Sequence, residues 1–215
     1  MDRSEGLISM NIVKLITDKL SSSIEKKGLA SLVVSGGSSP IKVFDELSNF
    51  DLPWSKVQVT LVDDRLVEPE NKYSNQKLIS DYFLKSKAKV AQFFPLTNDL
   101  ITKTNNFKLP FDVNLLGMGE DGHFASLFPS MIDDFDAFNI KAKFKVFETS
   151  SQGDPFLPRV TMNLSLILNS EMIILLVKGE KKIKVLNEAY NNKKLPIHYL
   201  LKNRRENLFI EKIDE

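Results

Sequence analysis

The chain has 215 residues, 42% of them hydrophobic and 27% charged, with 29 basic against 28 acidic side chains, two histidines and no cysteine. A chain of this length can bury most of its apolar surface, its composition excludes a disordered or low-complexity protein, and its net charge of +1 gives no reason to expect nucleic acid or an anionic membrane as partner. Without cysteine there is no disulfide, thiol nucleophile, iron–sulfur cluster or cysteine zinc site, and two histidines make a multi-histidine metal centre unexpected.

The opening MDRSEGLISM has no basic region leading into an apolar stretch, so no secretory signal is expected. Val13, Ile16, Leu20 and Ile24 recur at helical spacing and predict a first helix ending near Gly28. Leu32-Val33-Val34 is a short strand that breaks into Ser35-Gly36-Gly37-Ser38-Ser39-Pro40, and Ser39 as cap with Pro40 as first helical residue would open a helix to about Leu47. Val57–Val62 reads as a strand and Tyr73–Lys85 as a helix, while Thr97–Lys108 reads as a surface loop. Asp112–Leu116 is a strand running into Gly117-Met118-Gly119, and the acidic Asp133–Asp136 is expected in a loop. Phe144–Phe147, Val160–Leu164 and Met172–Val177 read as strands, Glu180–Tyr190 as a helix and Asn207–Ile210 as a last strand. The six residues of Met172–Val177 form the longest clean apolar run, against the ~20 a membrane span needs. The expectation is therefore a soluble, cytoplasmic α/β protein with a largely parallel sheet, forming a single domain over residues 1–215.

In open α/β sheets ligands gather at the carboxyl ends of the strands. Three unusual clusters sit at such ends: Ser35–Ser38, Asp63–Arg65 and Gly117–His123. The glycines of the first let a backbone approach a ligand closely, and the helix start behind them offers free N–H groups, which suits a phosphate. A tight turn that needs glycine only for its geometry accounts for the same residues, and both readings stand. Gly117–Gly122 fits G-x-G-x-x-G, but the dinucleotide fingerprint must open a long helix, and Pro129 follows Gly122 too soon for one.

That loop instead carries Asp121 and His123. A histidine with a carboxylate nearby suits a general base, the carboxylate fixing tautomer and ring orientation while the imidazole takes a proton from water. A surface histidine is the competing reading, and the glycines and acids crowded around His123 weigh against it. His198, in an apolar stretch, is expected to be structural. Asp63-Asp64-Arg65 could position a polyhydroxylated anion or could be a solvated charge cluster. Arg159 and Lys182, taken singly, read as surface residues, and the basic Lys202–Glu206 as a solvated helix end.

Several of these segments, in this order, resemble 6-phosphogluconolactonases: Val33–Pro40, Asp63–Val67 with Ser74-Asn75, Leu115–Pro129, Pro158–Thr161 and Gly179–Lys182. Gly117–Pro129 is the most specific of them. The resemblance implies a Rossmann-like sandwich, hydrolysis of 6-phosphoglucono-δ-lactone to 6-phosphogluconate, and a small sugar-phosphate lactone as partner, with no cofactor and no metal. It makes His123 the general base, Asp121 its orienting carboxylate and Arg65 a substrate-positioning group, with Gly36, Gly37, Ser38, Asp63, Arg159 and Lys182 holding phosphate and sugar. The family commonly has Asp-Glu-Arg where this chain has Asp63-Asp64-Arg65.

Two rivals are weaker. Glucosamine-6-phosphate deaminases share the fold and a similar loop, but have a glutamate where this chain has Phe128 and a tyrosine where it has Arg65. A sugar-phosphate-sensing regulator would need a DNA-binding module, and only one convincing helix precedes the first strand.

Overall fold

The computed structural model describes residues 3–100, 107–203 and 206–213, with side chains from Ile12 onward. Helix α1 (Arg3–Lys27) buries Val13, Ile16, Leu20 and Ile24 along one face and stops at Gly28, whose φ of +81° turns the chain into β1 (Ala30–Val34). Helix α2 (Ile41–Asn49), β2 (Val57–Leu61), β3 (Asp63–Arg65) and α3 (Asn75–Tyr82) follow. Next come β4 (Gln92–Phe94), β5 (Phe111–Gly117), a short helix α4 (Phe135–Phe138), β6 (Val146–Gln152) and β7 (Leu157–Met162). The chain closes with α5 (Leu164–Leu168), β8 (Ser170–Lys178), α6 (Glu180–Ala189), α7 (Ile197–Asn203) and β9 (Leu208–Ile213).

Six strands form one parallel sheet in the order β4-β2-β1-β5-β8-β9. Every residue of β1 and β2 is buried, the pattern of strands covered on both faces by helices. The strand order reverses direction between β1 and β5, so the loops leaving these two neighbours diverge and leave a crevice. Ser35 pins that junction: its N–H and Oγ both donate to the Leu115 carbonyl, at 2.9 and 3.1 Å, and the Gly117 N–H donates to its Oγ at 2.8 Å.

The largely parallel sheet and flanking helices agree with the sequence, but a second sheet does not appear in that reading. Strands β3, β7 and β6 form a separate antiparallel sheet. Asp63-Asp64-Arg65 is thus not the tail of β2 but a strand of its own, joined to the parallel sheet through Val62, which donates to the Val34 carbonyl and accepts from the Met162 N–H.

Other local expectations are corrected by capping chemistry. Pro40 already has helical φ and ψ and accepts from the Phe44 N–H, so the turn begins there and the Ser39 side chain does not cap it. Strand β7 ends at Met162 because Asn163 accepts from the Leu166 N–H and starts α5, so Leu164 is helical. Asp134, expected in a loop, caps α4 through the Asp136 and Ala137 N–H groups. The expected strand from Phe144 begins at Val146 and runs on to Gln152. Ser74 and Asp64 hold the start of α3, which is shorter at both ends than expected. Residues 101–106 of the expected Thr97–Lys108 loop, and Arg204 and Arg205 of the basic Lys202–Glu206 stretch, lie outside the described residues. No described helix is long and apolar enough to cross a membrane.

Candidate active site

The three clusters converge. One cleft at the carboxyl ends of β1 and β5 is lined by Gly36, Gly37 and Ser38, by Asp63 and Arg65, and by Gly119 and His123, with Arg159 and Lys182 completing its wall. All of the predicted site residues except Asp121 line it, and Asp121 touches it through His123.

No helix forms between Met118 and Phe128, so the loop lacks the helix that a dinucleotide fingerprint must open. The loop folds tightly on itself instead. The Gly119 N–H donates to the His123 carbonyl at 2.8 Å, and the Gly122 N–H to the Gly119 carbonyl at 3.1 Å. Asp121 Oδ1 lies 2.5 Å from His123 Nδ1 and also accepts from the His123 N–H at 3.1 Å. That contact makes Nδ1 the protonated nitrogen and leaves Nε2 as the acceptor. Glycine is required at 119, because a Cβ there would overlap the His123 ring and crowd Asp121 Oδ1. Burial pushes the Asp121 carboxyl up, but the hydrogen bond and charge of His123 outweigh it, and the carboxyl stays below its usual range. Ala125, on the cleft wall, holds a φ of +49°, a strained position for a residue with a Cβ.

Strands β3 and β7 bring two guanidiniums together, since Arg65 and Arg159 are paired across the antiparallel register. Each is tied by neutral oxygens rather than carboxylates. Arg65 donates to the Tyr73 carbonyl at 2.8 Å and to Asn75 Oδ1 at 2.7 Å, while Arg159 donates to the Gln152 and Pro155 carbonyls at 3.1 and 3.0 Å. Arg159 is 3% exposed, which overturns its reading as a surface residue: β7 carries it inward under the hairpin that joins β6 to β7. Burial first, and then the Arg65 charge, push the Arg159 guanidinium below its usual range, with Asp63, Asp64 and Asp154 pulling the other way. Lys182, in the first turn of α6, is half-buried. None of these three cations forms a salt bridge among the described residues.

The two adjacent aspartates part company. Asp63 is buried in the cleft wall, accepting from Ser126 Oγ at 2.6 Å. Asp64, expected to share in ligand positioning, turns away to the start of α3, where its carboxylate accepts from the N–H groups of Asn75 at 2.6 Å, Gln76 at 3.0 Å and Arg65 at 2.7 Å. Burial nevertheless raises the pKa of Asp64. Its shortness relative to glutamate therefore concerns a helix cap, not the cleft.

Asn75 stands out in the sequence only as part of the family-like Ser74-Asn75 pair, with no role of its own. It is buried, donates to the Asp63 carbonyl at 2.8 Å and accepts from Arg65, so one side chain fixes the backbone of β3 and the reach of its arginine. A Cβ at Gly36 would overlap the Asn75 amide, which explains that glycine by close approach. His198 is structural as expected, buried with Nδ1 2.7 Å from the Ala189 carbonyl.

A sequence profile for glucosamine-6-phosphate isomerases/6-phosphogluconolactonase matches residues 3–210. The chain belongs to that family. Among curated relatives, a 6-phosphogluconolactonase of Neisseria meningitidis serogroup A is 34% identical over 94% of this chain and 93% of its own. One of Rhizobium meliloti is 37% identical over 86% and 84%. The crystal structure of a 6-phosphogluconolactonase from Shewanella baltica superposes with a TM-score of 0.83 at 32% identity, covering 98% of this chain and 94% of that one. The α/β fold described above is that of this 6-phosphogluconolactonase structure.

Proposed function

We propose that the protein hydrolyses 6-phosphoglucono-δ-lactone to 6-phosphogluconate, with His123 as general base and no metal. The relatives' names supply the substrate. The observation that carries the chemistry is an oriented imidazole in the same cleft as guanidiniums that have no carboxylate partner. A lactone is an activated ester, so a water held against the carbonyl needs only a base and a stabilised oxyanion. Nε2 of His123 takes the water proton as the C–O bond forms, and Asp121 supports the imidazolium through Nδ1. The tetrahedral oxyanion is met by Arg65 or by N–H groups of the glycine loops. Collapse of that intermediate breaks the ring C–O bond, and the imidazolium returns its proton to the leaving oxygen. Arg159, Lys182, Gly36, Gly37 and Ser38 take the phosphate and Asp63 a sugar hydroxyl, an assignment that gives each unpaired cation an anion to meet.

The metal-free part rests on charge. A cleft walled by Arg65, Arg159 and Lys182 against the single carboxylate of Asp63 repels a divalent cation. The isomerase reading is disfavoured by Phe128, whose ring stands beside His123, where a carboxylate would be needed to assist it.

The test is a coupled assay in which glucose 6-phosphate, NADP⁺ and its dehydrogenase generate the lactone in place. Wild-type protein accelerates its disappearance, with or without EDTA, and His123→Ala loses about 10²–10⁴-fold in kcat with a smaller change in KM. No acceleration over spontaneous hydrolysis refutes the activity, unchanged turnover in His123→Ala removes the base, and a loss in EDTA restored by metal removes the metal-free mechanism.

A further inference from the structure

Phe128 is 3% exposed, yet it does not belong to the continuous apolar cluster that packs the sheet and its helices. Its ring lies instead among the groups of the cleft, behind its wall. The His123 ring stacks on it with centroids 4.6 Å apart and planes tilted 33°, and the Arg159 guanidinium carbon is 5.3 Å from its centroid. The hairpin between β6 and β7 closes on the same ring: a Cβ at Gly153, where φ is +72°, would lie 2.9 Å from both Phe128 Cζ and Arg159 Nη2. One phenyl ring therefore touches an imidazole delivered by β5 and a guanidinium delivered by β7, while the chain of Arg159 is anchored by the carbonyls of Gln152 and Pro155.

We infer that Phe128 is a positioning residue that sets the imidazole and the guanidinium at a fixed separation, so that base and anion site act on one substrate. The inference rests on the function proposed above. Asp121 fixes His123 at Nδ1 and Gly119 lies close to Nδ1 and Cε1, but a tilt of the ring about its Cβ–Nδ1 edge would still shift Nε2 in the cleft. A ring against the imidazole face removes that freedom. Its π face also favours both cations: the guanidinium at rest, and the imidazolium formed during the reaction. Arg159 gains from the same contact a rigid platform, where a flexible aliphatic side chain would let it slide.

The tests are steady-state kinetics across pH and proton NMR of the two imidazoles, on Phe128→Leu, Phe128→Tyr and Gly153→Ala. His198 serves as an internal reference because, among the described residues, its ring contact is with Tyr199 and not with Phe128. The charged groups around His123, namely Asp121 at its Nδ1 and Asp63, Arg65, Arg159 and Lys182 in the cleft wall, are the same in every variant. Phe128→Leu is expected to lose about tenfold or more in kcat through misplacement of the base, with KM raised about threefold as the cation–π contact goes. Its acid limb shifts, the His123 ring protons move downfield on losing the phenyl ring current, and those of His198 stay in place. Gly153→Ala, reaching the ring from the other element, raises KM with a smaller loss of kcat, and Phe128→Tyr, whose added hydroxyl grows from Cζ toward Gly153, does the same. Wild-type kcat, KM and pH profile in Phe128→Leu would overturn the inference. So would a loss matched by an equal loss of folded protein with the His123 resonances unmoved. Should Phe128→Leu not fold, unchanged kinetics in Gly153→Ala and Phe128→Tyr overturn it instead. If the wild type hydrolyses no lactone the proposed function fails, and the ring-proton shifts still report whether Phe128 holds His123.

Discussion

At the amino end of the parallel sheet, Lys27 reaches Asp112 at 2.9 Å and Glu171 at 2.6 Å, and Lys19 pairs with the other oxygen of Glu171. Asp112 accepts in addition from Ser23 Oγ at 2.6 Å, from the Ser31 N–H at 2.8 Å and from Ser31 Oγ at 3.1 Å. At the carboxyl end, Arg65, Arg159 and Lys182 face a cleft and pair with no carboxylate among the described residues, and Arg65 Nε is buried without a partner. Pairing at the first end raises the pKa of Lys27 and lowers that of Glu171, so both charges are favoured. At the second end burial and Arg65 disfavour the Arg159 charge. One end uses its charges to tie α1 to β5 and β8; the other holds them in reserve for a ligand. Charges that cost stability and stay unpaired mark a site more reliably than charges that pair.

Removing charge should therefore have opposite consequences at the two ends. Asp112→Asn takes from Lys27 its buried partner and weakens the bonds from Ser23 and Ser31, and is expected to cost about 2 kcal/mol in a urea melt. Activity per folded molecule should be unchanged, because Asp112 lies across the sheet from the cleft. Arg159→Met removes a buried charge that Arg65 repels, so the melt should be neutral or shifted to higher denaturant. KM should rise roughly 10–100-fold, the scale of one charge-assisted hydrogen bond, with a smaller change in kcat. A strongly destabilised Arg159→Met with normal KM would reverse the contrast and make Arg159 a structural cation.

Much of this division could be read from the chain itself. The run Gly117–Pro129 and the glycines at 36 and 37 announced a site, because glycine is needed where a backbone or a side chain comes close. Strands β1, β2, β5 and β8 were legible through their apolar runs, since strands buried on both faces have no polar alternation to hide them, and β9 through Asn207–Ile210. The edge strand β4, three half-exposed residues at Gln92–Phe94, carries no such run and is absent from the sequence reading. The antiparallel sheet was not. β6 alternates in burial along Val146–Gln152, and β3 is only three residues, contiguous in sequence with β2 apart from Val62. Which carboxylate faced the cleft was equally hidden: Asp63 and Asp64 are chemically alike, and their separation follows from the pleat of β3 and the placement of α3. Arg159 looked like a surface cation because nothing local to it announces a register partner at Arg65. The role of Asn75 is hidden for the same reason, as its partners lie about one strand-to-helix connection away.

The smallest effect separates the ends by pH. Lys19 first, then Lys27, hold the Glu171 carboxyl below its usual range. A depressed carboxyl contributes stability that is fully present above its unfolded pKa and is lost as pH falls through the folded one. The stability gap between wild type and Glu171→Gln should thus be flat near neutrality and close on acidification below the ordinary glutamate range. Lys27, raised by Glu171 and Asp112, adds the mirror-image term: its contribution is present below its ordinary pKa and fades only when pH climbs through the higher folded value. Since Lys27 and Glu171 are about a third exposed, screening by water keeps the gap to roughly 1 kcal/mol or less. Arg159 offers no such gap at any working pH, because a guanidinium stays charged even when its pKa is lowered. A thermal-melt series of wild type, Glu171→Gln and Arg159→Met should therefore show one pH-dependent difference and one constant difference. A gap for Glu171→Gln that persists unchanged into acid would mean that the amino-end carboxylate acts through packing and not through its charge.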